Sequence, residues 1–456
     1  MRRSRKTRDD VLAWLDRRID YERTPPAGAP ARAFGLGRMR RLLVAVGRPH
    51  ERFPVVHIAG TKGKGSTVAM VSGILTAAGH HVGRYLSPHV QALEERICVG
   101  GRPIAAADLV AAFDVVIPAV ERLDATAQRR GRRGPTWFEA VTAAALVHFA
   151  RQEVDIAVLE TGLGGRLDAT TCARPIVSVI TSVSLDHMAL LGRTVGKIAA
   201  EKAGIIKRGV PVISGALHPA ARRVIATTAA RRRARLWQLG RDFQAGYEPV
   251  SPADPLAGGH LLLRPPGVAA AATPLRYRLA MAGRHQAENA ALAVAAARTV
   301  DALGLPVPER AIARGLATVH LPARIERVAT APLVVVDAAH NVASMQSLVA
   351  TLDPLFGGYQ RRVLVFAASG DKQIEEMLAV ASGRFTAVVV TQYVTNPRAA
   401  PIARLVAACR AARLPEPHVA AAPAAALAKA RSLAGPRGVV CVAGSFFLAA
   451  EVRGSR

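Results

Sequence analysis

Val55-Val56-His57-Ile58-Ala59-Gly60-Thr61-Lys62-Gly63-Lys64-Gly65-Ser66 is the stretch that decides the fold. An apolar run leads into a glycine turn that carries a lysine and a hydroxyl, and the apolar helical stretch Val68 to Leu75 follows. Strand, glycine turn and helix start in that order cradle a triphosphate. The glycines let backbone N–H groups turn inward without Cβ clashes, and the helix N-terminus adds positive potential. Lys64 is placed to reach β/γ-phosphates and Ser66 to offer a hydroxyl to Mg²⁺. The spacing departs from the common G-x-x-x-x-G-K-[ST] pattern, because Ile58 stands where the first glycine is expected and Gly65 separates Lys64 from Ser66. A plain glycine turn is the alternative.

Outward from this stretch, short apolar runs alternate with helical segments. His81 to Leu86, Ile156 to Leu159, Ile176 to Ile180 and Val210 to Ile213 read as buried strands of a largely parallel sheet. Tyr247 to Pro274 is rich in Pro and Gly and predicts a loop or hairpin inserted late in this domain. A second series, Leu333 to Val336, Arg362 to Phe366, Ala387 to Val390 and Val439 to Val442, predicts a smaller α/β domain. The hinge is expected around Thr318 to Pro322, and the alanine-rich Ala420 to Ala430 predicts a helix. No internal repeat is present.

The 456 residues suffice for two or three domains, and no apolar run reaches the length of a membrane span. The basic start, Met1 to Arg8, meets Asp9-Asp10 and no apolar core, so it is not a secretory signal. A solvated tail is expected, with a short presequence as the alternative. Cys98, Cys172, Cys409 and Cys441 are scattered without a C-x-x-C pair, which suits reduced thiols in a cytosol. The net charge of +28, from 61 Lys+Arg against 33 Asp+Glu, favours polyanionic partners: nucleic acid, ATP or an acidic substrate. Aromatics make up only 4% of the chain, leaving few platforms on which single-stranded bases stack. The runs Arg129 to Arg133 and Arg231 to Arg235 are therefore read as solvated helix faces and loops.

Glu160 closes one predicted strand and opens Glu160-Thr161-Gly162-Leu163-Gly164-Gly165-Arg166-Leu167-Asp168-Ala169-Thr170. His187 lies just past another, in Ser184-Leu185-Asp186-His187. Ligands of open α/β sheets bind outside the carboxyl ends of the strands, where these residues and the glycine loop would converge. Glu160 and His187 are thus candidates to hold a divalent ion near a γ-phosphate. Singly, a histidine is more often structural than a ligand, and Gly162 to Gly165 is compatible with a tight turn.

The chain resembles the folylpolyglutamate synthase and dihydrofolate synthase family of the Mur ligase superfamily. The resemblance runs in order through nearly the whole length. It covers Gly60 to Ser66, Ser87-Pro88-His89-Val90, Glu94-Glu95-Arg96-Ile97, Thr136-Trp137-Phe138-Glu139, Glu160 to Thr170 and Asp186-His187. It continues through Glu201-Lys202-Ala203-Gly204-Ile205, His285 to Ala290, Pro322-Ala323-Arg324, Asp337-Ala338-Ala339-His340-Asn341 and Gly444-Ser445.

This resemblance implies a Mur-ligase-like α/β fold: a P-loop ATPase domain over residues 1–320 that includes the pterin site, and a smaller Rossmann-like glutamate-ligase domain over 321–456. It implies that Gly63, Lys64, Gly65 and Ser66 hold ATP phosphates, with Asn289, Arg324 and Asp337 on the nucleotide. Ser87, Glu160 and His187, with Ser66 a further candidate, look like Mg²⁺ ligands. His340 is expected near the γ-phosphate or the amino acid. Phe34-Gly35-Leu36, Thr136-Trp137-Phe138-Glu139 and Leu167-Asp168-Ala169 match segments that hold the pterin end. Lys202 matches a lysine carboxylated by CO₂ in relatives, which requires a neutral amine; an ordinary ion pair with Glu201 or another acid is the alternative. Lys62, Ala323 and Ala338 depart from the commoner Asn, Gly and Gly without removing a functional side chain, and Ala338 demands only an ordinary φ.

The implied activity is ATP-dependent amide ligation through an acyl phosphate. L-glutamate would be added to dihydropteroate, to the γ-carboxylate of a folate, or to both, as in bifunctional bacterial relatives, within a cleft between the domains that excludes water. A monofunctional folylpolyglutamate synthase is the nearest alternative. A cell-wall Mur ligase, which would normally carry a further domain before the strand at Val55, is the less expected reading. A P-loop nucleic-acid-binding protein would need a regular Walker motif and coupling elements that the sequence lacks. The expected partners are ATP with Mg²⁺, L-glutamate and the pterin substrate, with no specific nucleic acid and no membrane, in a cytoplasmic monomer.

Overall fold

The structure, a computed structural model, describes residues 6–22, 35–267 and 272–454. Two compact units emerge. The first comprises Met1–Ala245, Arg264–Thr273 and Glu288–Leu316; the second comprises Gly246–Leu263, Pro274–Ala287 and Ala317–Arg456.

The first unit is built on β1 (Val55–Ala59), β2 (Val82–Tyr85), β3 (Ile97–Val99), β4 (Arg102–Pro103), β5 (Ile156–Glu160), β6 (Pro175–Ile180), β7 (Val212–Ser214) and β8 (Leu236–Gln238). They form one sheet in the order β4-β3-β2-β5-β1-β6-β7-β8. From β2 to β8 neighbours run parallel, while β3 and β4 add antiparallel edges. All five residues of β1 are buried, as the continuous apolar run requires of a central strand covered on both faces. Ile58 pairs with Glu160 on one side and Ala59 with Ile180 on the other, so the carboxyl ends of β5, β1 and β6 lie side by side. The helix Lys64–Ala77 springs from this edge and is buried on nearly every turn. Close approach demands Gly315 in the helix Glu309–Thr318, where an added Cβ would fall 2.5 Å from Ile74 Cα.

The second unit holds β9 (Gln244–Pro249), β10 (Gly259–Arg264) and β11 (Leu275–Leu279) in a three-stranded sheet ordered β11-β10-β9. The Pro- and Gly-rich segment expected as an insert in the first domain thus packs mostly with the second unit. Its β10 alternates buried and half-buried residues, the pattern of a strand with one covered face. The six-stranded sheet runs β12 (Glu326–Thr330), β13 (Leu333–Val336), β17 (Val439–Ala443), β14 (Arg362–Phe366), β15 (Ala387–Val390) and β16 (His418–Val419), with β12 antiparallel at the edge. Its central strands bury both faces, while the edge strands β12 and β16 are half-buried or exposed. Val335, Leu364, Phe366, Val388 and Cys441 feed one core, while Val334, Val363, Val365, Val389 and Val440 feed the other. The alanine-rich helix starts at Pro423, whose fixed φ suits a first helical turn, and ends before Gly435.

The four cysteines are free, and Arg129 to Arg133 and Arg231 to Arg235 are exposed at their arginines. Among the described residues no helix is long and apolar enough to cross a membrane.

Candidate phosphate-loop site

Gly60 to Gly63 links β1 to the helix Lys64–Ala77, and the end of β6 fixes its course. Thr61 N donates to Ser182 O at 2.7 Å and Lys62 N to Ser182 Oγ at 3.2 Å. Thr181 Oγ1 donates to Lys62 O at 2.6 Å, and Ser184 N to Thr61 Oγ1 at 3.1 Å. Gly63 adopts φ 80° as the N-cap, so the loop turns into the helix through a left-handed residue. A Cβ there would fall 2.1 Å from Asn289 Oδ1, and one on Gly60 would fall 1.7 Å from Thr181 Oγ1. Asn289 is thereby brought against the loop within the first unit.

Three lysines and two carboxylates gather at this edge. Lys64 Nζ lies 3.7 Å from Glu160 Oε1, and Glu160 Oε2 accepts from Ser87 N at 3.2 Å. A Cβ on Gly65 would lie 3.5 Å from Glu160 Oε2, so this carboxylate sits over the first turn of the helix. Lys62 Nζ reaches Asp186 Oδ2 at 3.2 Å. Lys202, 3% exposed, donates from Nζ to Gly60 O at 2.7 Å. Burial, reinforced by the charge of Lys64, lowers its pKa from 10.5 to about 7, against the pull of Asp186. Glu201 instead pairs with Arg166 at 2.8 Å. Ser66 is buried within the first turn of the helix. His187 takes φ 47° before the short helix Met188–Leu191, with its N–H donating to Asp186 Oδ1 at 3.0 Å. Among the described residues no three His, Cys, Asp or Glu side chains gather as a metal centre.

The sequence-predicted pterin segments resolve into a second neighbourhood of the same unit. Thr136 caps the helix Trp137–Arg151, and Glu139 closes the capping box. Glu139 also receives Arg38 Nε at 3.0 Å, tying that helix to the helix Leu36–Ala45, which Gly35 precedes. Phe138 packs 6.1 Å from the Tyr85 ring, and a Cβ on Gly162 would strike Phe138 at 2.7 Å. Trp137 lies 4.6 Å beneath the buried Arg96 guanidinium, which pairs with Glu22 at 2.6 Å. Asp168 is buried and caps Ala169–Cys172; Leu167 is half-buried and Ala169 buried. Phe34 lies outside the described residues.

In the second unit Asp337 follows β13 and accepts from Ile325 N at 2.8 Å; burial raises its pKa, and Arg324 opposes that shift. The Arg324 guanidinium stands 5.1 Å from the Phe446 ring. Ala323 and Ile325 take φ 54° and 50°, whereas Ala338 is absent from the left-handed region. His340 Nδ1 is hydrogen-bonded to Ala338 O at 2.8 Å. Half-buried His285 is held neutral, its pKa pushed down to about 4 by desolvation and then by Arg324.

Sequence reasoning missed Asp186 as the partner of Lys62, the hydroxyls of Thr181 and Ser182 as anchors of the loop, and Arg38 as the partner of Glu139. The run Thr181-Ser182-Val183-Ser184 directly after a buried strand was the available signal for the loop anchors.

Residues 120–297 match the Mur ligase middle domain, and residues 323–446 match the Mur ligase glutamate ligase domain. The chain is 35% identical over 375 residues to a dihydrofolate synthase/folylpolyglutamate synthase of Bacillus subtilis, covering 81% of each. It is 36% identical over 396 residues to the Mycobacterium tuberculosis protein of the same name, covering 84% of this chain and 78% of that one. The M. tuberculosis folylpolyglutamate synthase complexed with ADP and AMPPCP superposes with a TM-score of 0.86 at 33% identity, with 97% of each chain covered. Escherichia coli FolC in complex with DHPP and ADP gives 0.81 at 30%, covering 98% and 97%. The chain belongs to the dihydrofolate synthase/folylpolyglutamate synthase family, ATP-dependent ligases with the Mur ligase fold.

Proposed function

We propose that this chain adds L-glutamate both to dihydropteroate and to the γ-carboxylate of reduced folates. The carrying observation is the convergence of Lys64, Glu160 and the Gly63 turn at the carboxyl edge of the parallel sheet, beside a helix N-terminus. That arrangement suits a nucleotide triphosphate and the charge of a transferring phosphoryl group.

In this reading the substrate carboxylate oxygen attacks the γ-phosphorus, the bond to the ADP oxygen breaks, and an acyl phosphate forms. The glutamate amine then attacks the acyl carbon, loses a proton, and phosphate departs. Lys64 and the N–H groups from Gly63 to Ser66 hold the phosphates, with Asn289 against the same loop. Arg324 and Asp337 are assigned to the nucleotide, and His340 to the γ-phosphate or the amino acid. Glu160, Ser66, Ser87 and His187 form an oxygen-rich set with one imidazole, which fits Mg²⁺. When bound, that ion neutralises phosphate charge. Lys202 is assigned a carbamate, supported by its lowered pKa and by the pairing of Glu201 elsewhere. The pterin end is assigned to Gly35, Leu36, Thr136 to Glu139 and Leu167 to Ala169. On this reading residues 1–320 bind ATP and pterin, residues 321–456 complete the glutamate ligase, and the protein is a cytoplasmic monomer.

The test is phosphate release with ATP, Mg²⁺ and L-glutamate while dihydropteroate, tetrahydrofolate or a UDP-muramyl peptide is offered in turn. Turnover with both pterins and none with the muramyl peptide is expected. Turnover with tetrahydrofolate alone reduces the reading to a monofunctional synthase, and turnover with the muramyl peptide overturns it.

A further inference from the structure

His57 is a polar side chain in the middle of an otherwise apolar central strand, and it is wholly buried. A buried imidazole carries a desolvation penalty unless it is hydrogen-bonded. Its Nε2 lies 2.8 Å from Thr170 Oγ1, while Nδ1 has no partner. Thr170, also wholly buried, donates its single hydroxyl proton to Asp168 Oδ1 at 2.5 Å. Burial raises the Asp168 pKa, opposed by the Thr170 hydroxyl and the N–H groups of Leu163, Thr170 and Gly162. With Asp168 in the carboxylate form that proton is committed, the Thr170 oxygen accepts from His57, and the imidazole carries its proton on Nε2. Desolvation keeps the ring neutral, with a pKa near 3.

The chain of bonds ends on a loop rather than on an isolated side chain. Asp168 Oδ2 receives Leu163 N at 3.0 Å and Oδ1 receives Thr170 N at 3.0 Å. Thr171 Oγ1 donates to Gly165 O at 2.5 Å, and a Cβ on Gly165 would lie 2.9 Å from Lys202 O. The loop from Gly162 to Ala169 is therefore seated between the strand that leads into the phosphate loop and the helix that carries Lys202.

We propose that His57 and Thr170 are positioning residues for the pterin substrate. The directed chain His57 Nε2–H to Thr170 Oγ1–H to Asp168 Oδ1 fixes the loop that presents Leu167 to Ala169, and ties its position to the strand beneath the ATP phosphates. This inference rests on the reading that Leu167 to Ala169 hold the pterin end. Neither His57 nor Thr170 touches substrate. Their effect falls on substrate affinity through the loop, not on the transfer step.

The test separates positioning from mere structural support. His57→Leu and Thr170→Val remove the chain at nearly constant volume; His57→Gln and Thr170→Ser keep a donor and a hydroxyl in place. KM for dihydropteroate and tetrahydrofolate should rise about tenfold in the first pair, with KM for ATP within about twofold, and the second pair should recover most of the loss. The double variant His57→Leu/Thr170→Val should be no worse than either single one, because both break the same chain. Nitrogen-15 spectra of the intact wild-type protein should place the His57 proton on Nε2, a readout that needs no variant to fold. A proton on Nδ1, or KM values for pterin and ATP rising together in step with lost thermal stability, overturns the proposal. Leu167→Ala tests the reading beneath it. If that variant raises the pterin KM while the His57 and Thr170 variants do not, the positioning chain alone is wrong. If Leu167→Ala changes nothing, the pterin assignment itself fails and the proposal with it.

Discussion

Lys64 Nζ rests 3.7 Å from Glu160 Oε1, a cation on the first residue of a helix facing the carboxylate that ends the neighbouring strand. Both side chains are largely buried, 18% and 5% exposed, so each charge is weakly screened by solvent. Lys64→Ala removes the positive member without touching a core cluster. Turnover should fall at least about a hundredfold, while thermal unfolding stays close to that of the parent. Phosphate release and a melting curve on the same preparation check this. Near-normal turnover in a well-folded variant would remove the loop from the mechanism.

Gly63 offers a steric test of the same loop. Its φ of 80° lies in the left-handed region, and a Cβ would fall 2.1 Å from Asn289 Oδ1. Gly63→Ala should therefore destabilise the first unit by about 1–3 kcal/mol and weaken nucleotide binding together with it. Adding Asn289→Ala relieves the clash but not the backbone strain, so only part of the stability should return. Full recovery of stability in the double variant would place the whole cost on the side-chain collision.

The central strands of both units were legible because central parallel strands must be apolar at every position, and that constraint is local; the short or half-exposed edge strands β3, β4, β8, β12 and β16 lack it and escaped. Leu333 to Val336 and Arg362 to Phe366 coincide with β13 and β14 for this reason. The phosphate loop was legible because glycine, lysine and hydroxyl follow one another in the chain. What escaped was whatever pairs across long sequence separations: Lys62 with Asp186, Arg38 with Glu139, and His57 with Thr170. Each partner alone is an ordinary polar residue, and only the folded chain brings the two together. The left-handed φ of Ala323 escaped for another reason, since alanine carries no sequence signal for that conformation.

The surplus positive charge carries its own prediction. The arginines of Arg129 to Arg133 and Arg231 to Arg235 are exposed, and Arg235 covers one face of the half-buried Trp237 at 4.3 Å. DNA or RNA binding should accordingly be weak, without sequence preference, and should fall steeply between about 50 and 200 mM salt. Fluorescence anisotropy over that range checks it. Tight, sequence-selective binding at physiological salt would instead assign these arginines to a nucleic-acid function.

Lys202 gives the prediction with the most chemistry in it. The amine is 3% exposed, and burial with the nearby Lys64 charge lowers its pKa from 10.5 to about 7. Below about pH 7 the ammonium is protonated in folded and unfolded chains alike, and the fold carries the full cost of burying it. Between about 7 and 10.5 the unfolded chain binds the proton and the folded chain does not, so stability rises with pH across that window. Lys202→Met removes the cost. It should be more stable than the parent below pH 7, by at most about 4–5 kcal/mol, and lose that advantage as pH rises. Carbamylation follows the same direction, because a neutral amine joins CO₂ and releases a proton. With bicarbonate present, carbon-13 spectra near neutral pH should contain a carbamate signal that Lys202→Ala lacks and that disappears on acidification. Lys202→Arg keeps a cation but cannot form the carbamate, so it should be inactive, while acetate should restore part of the activity of Lys202→Ala by filling the vacated space with a carboxylate. Full activity in the arginine variant, with no carbamate signal in the parent, would make Lys202 a donor to Gly60 O and nothing more.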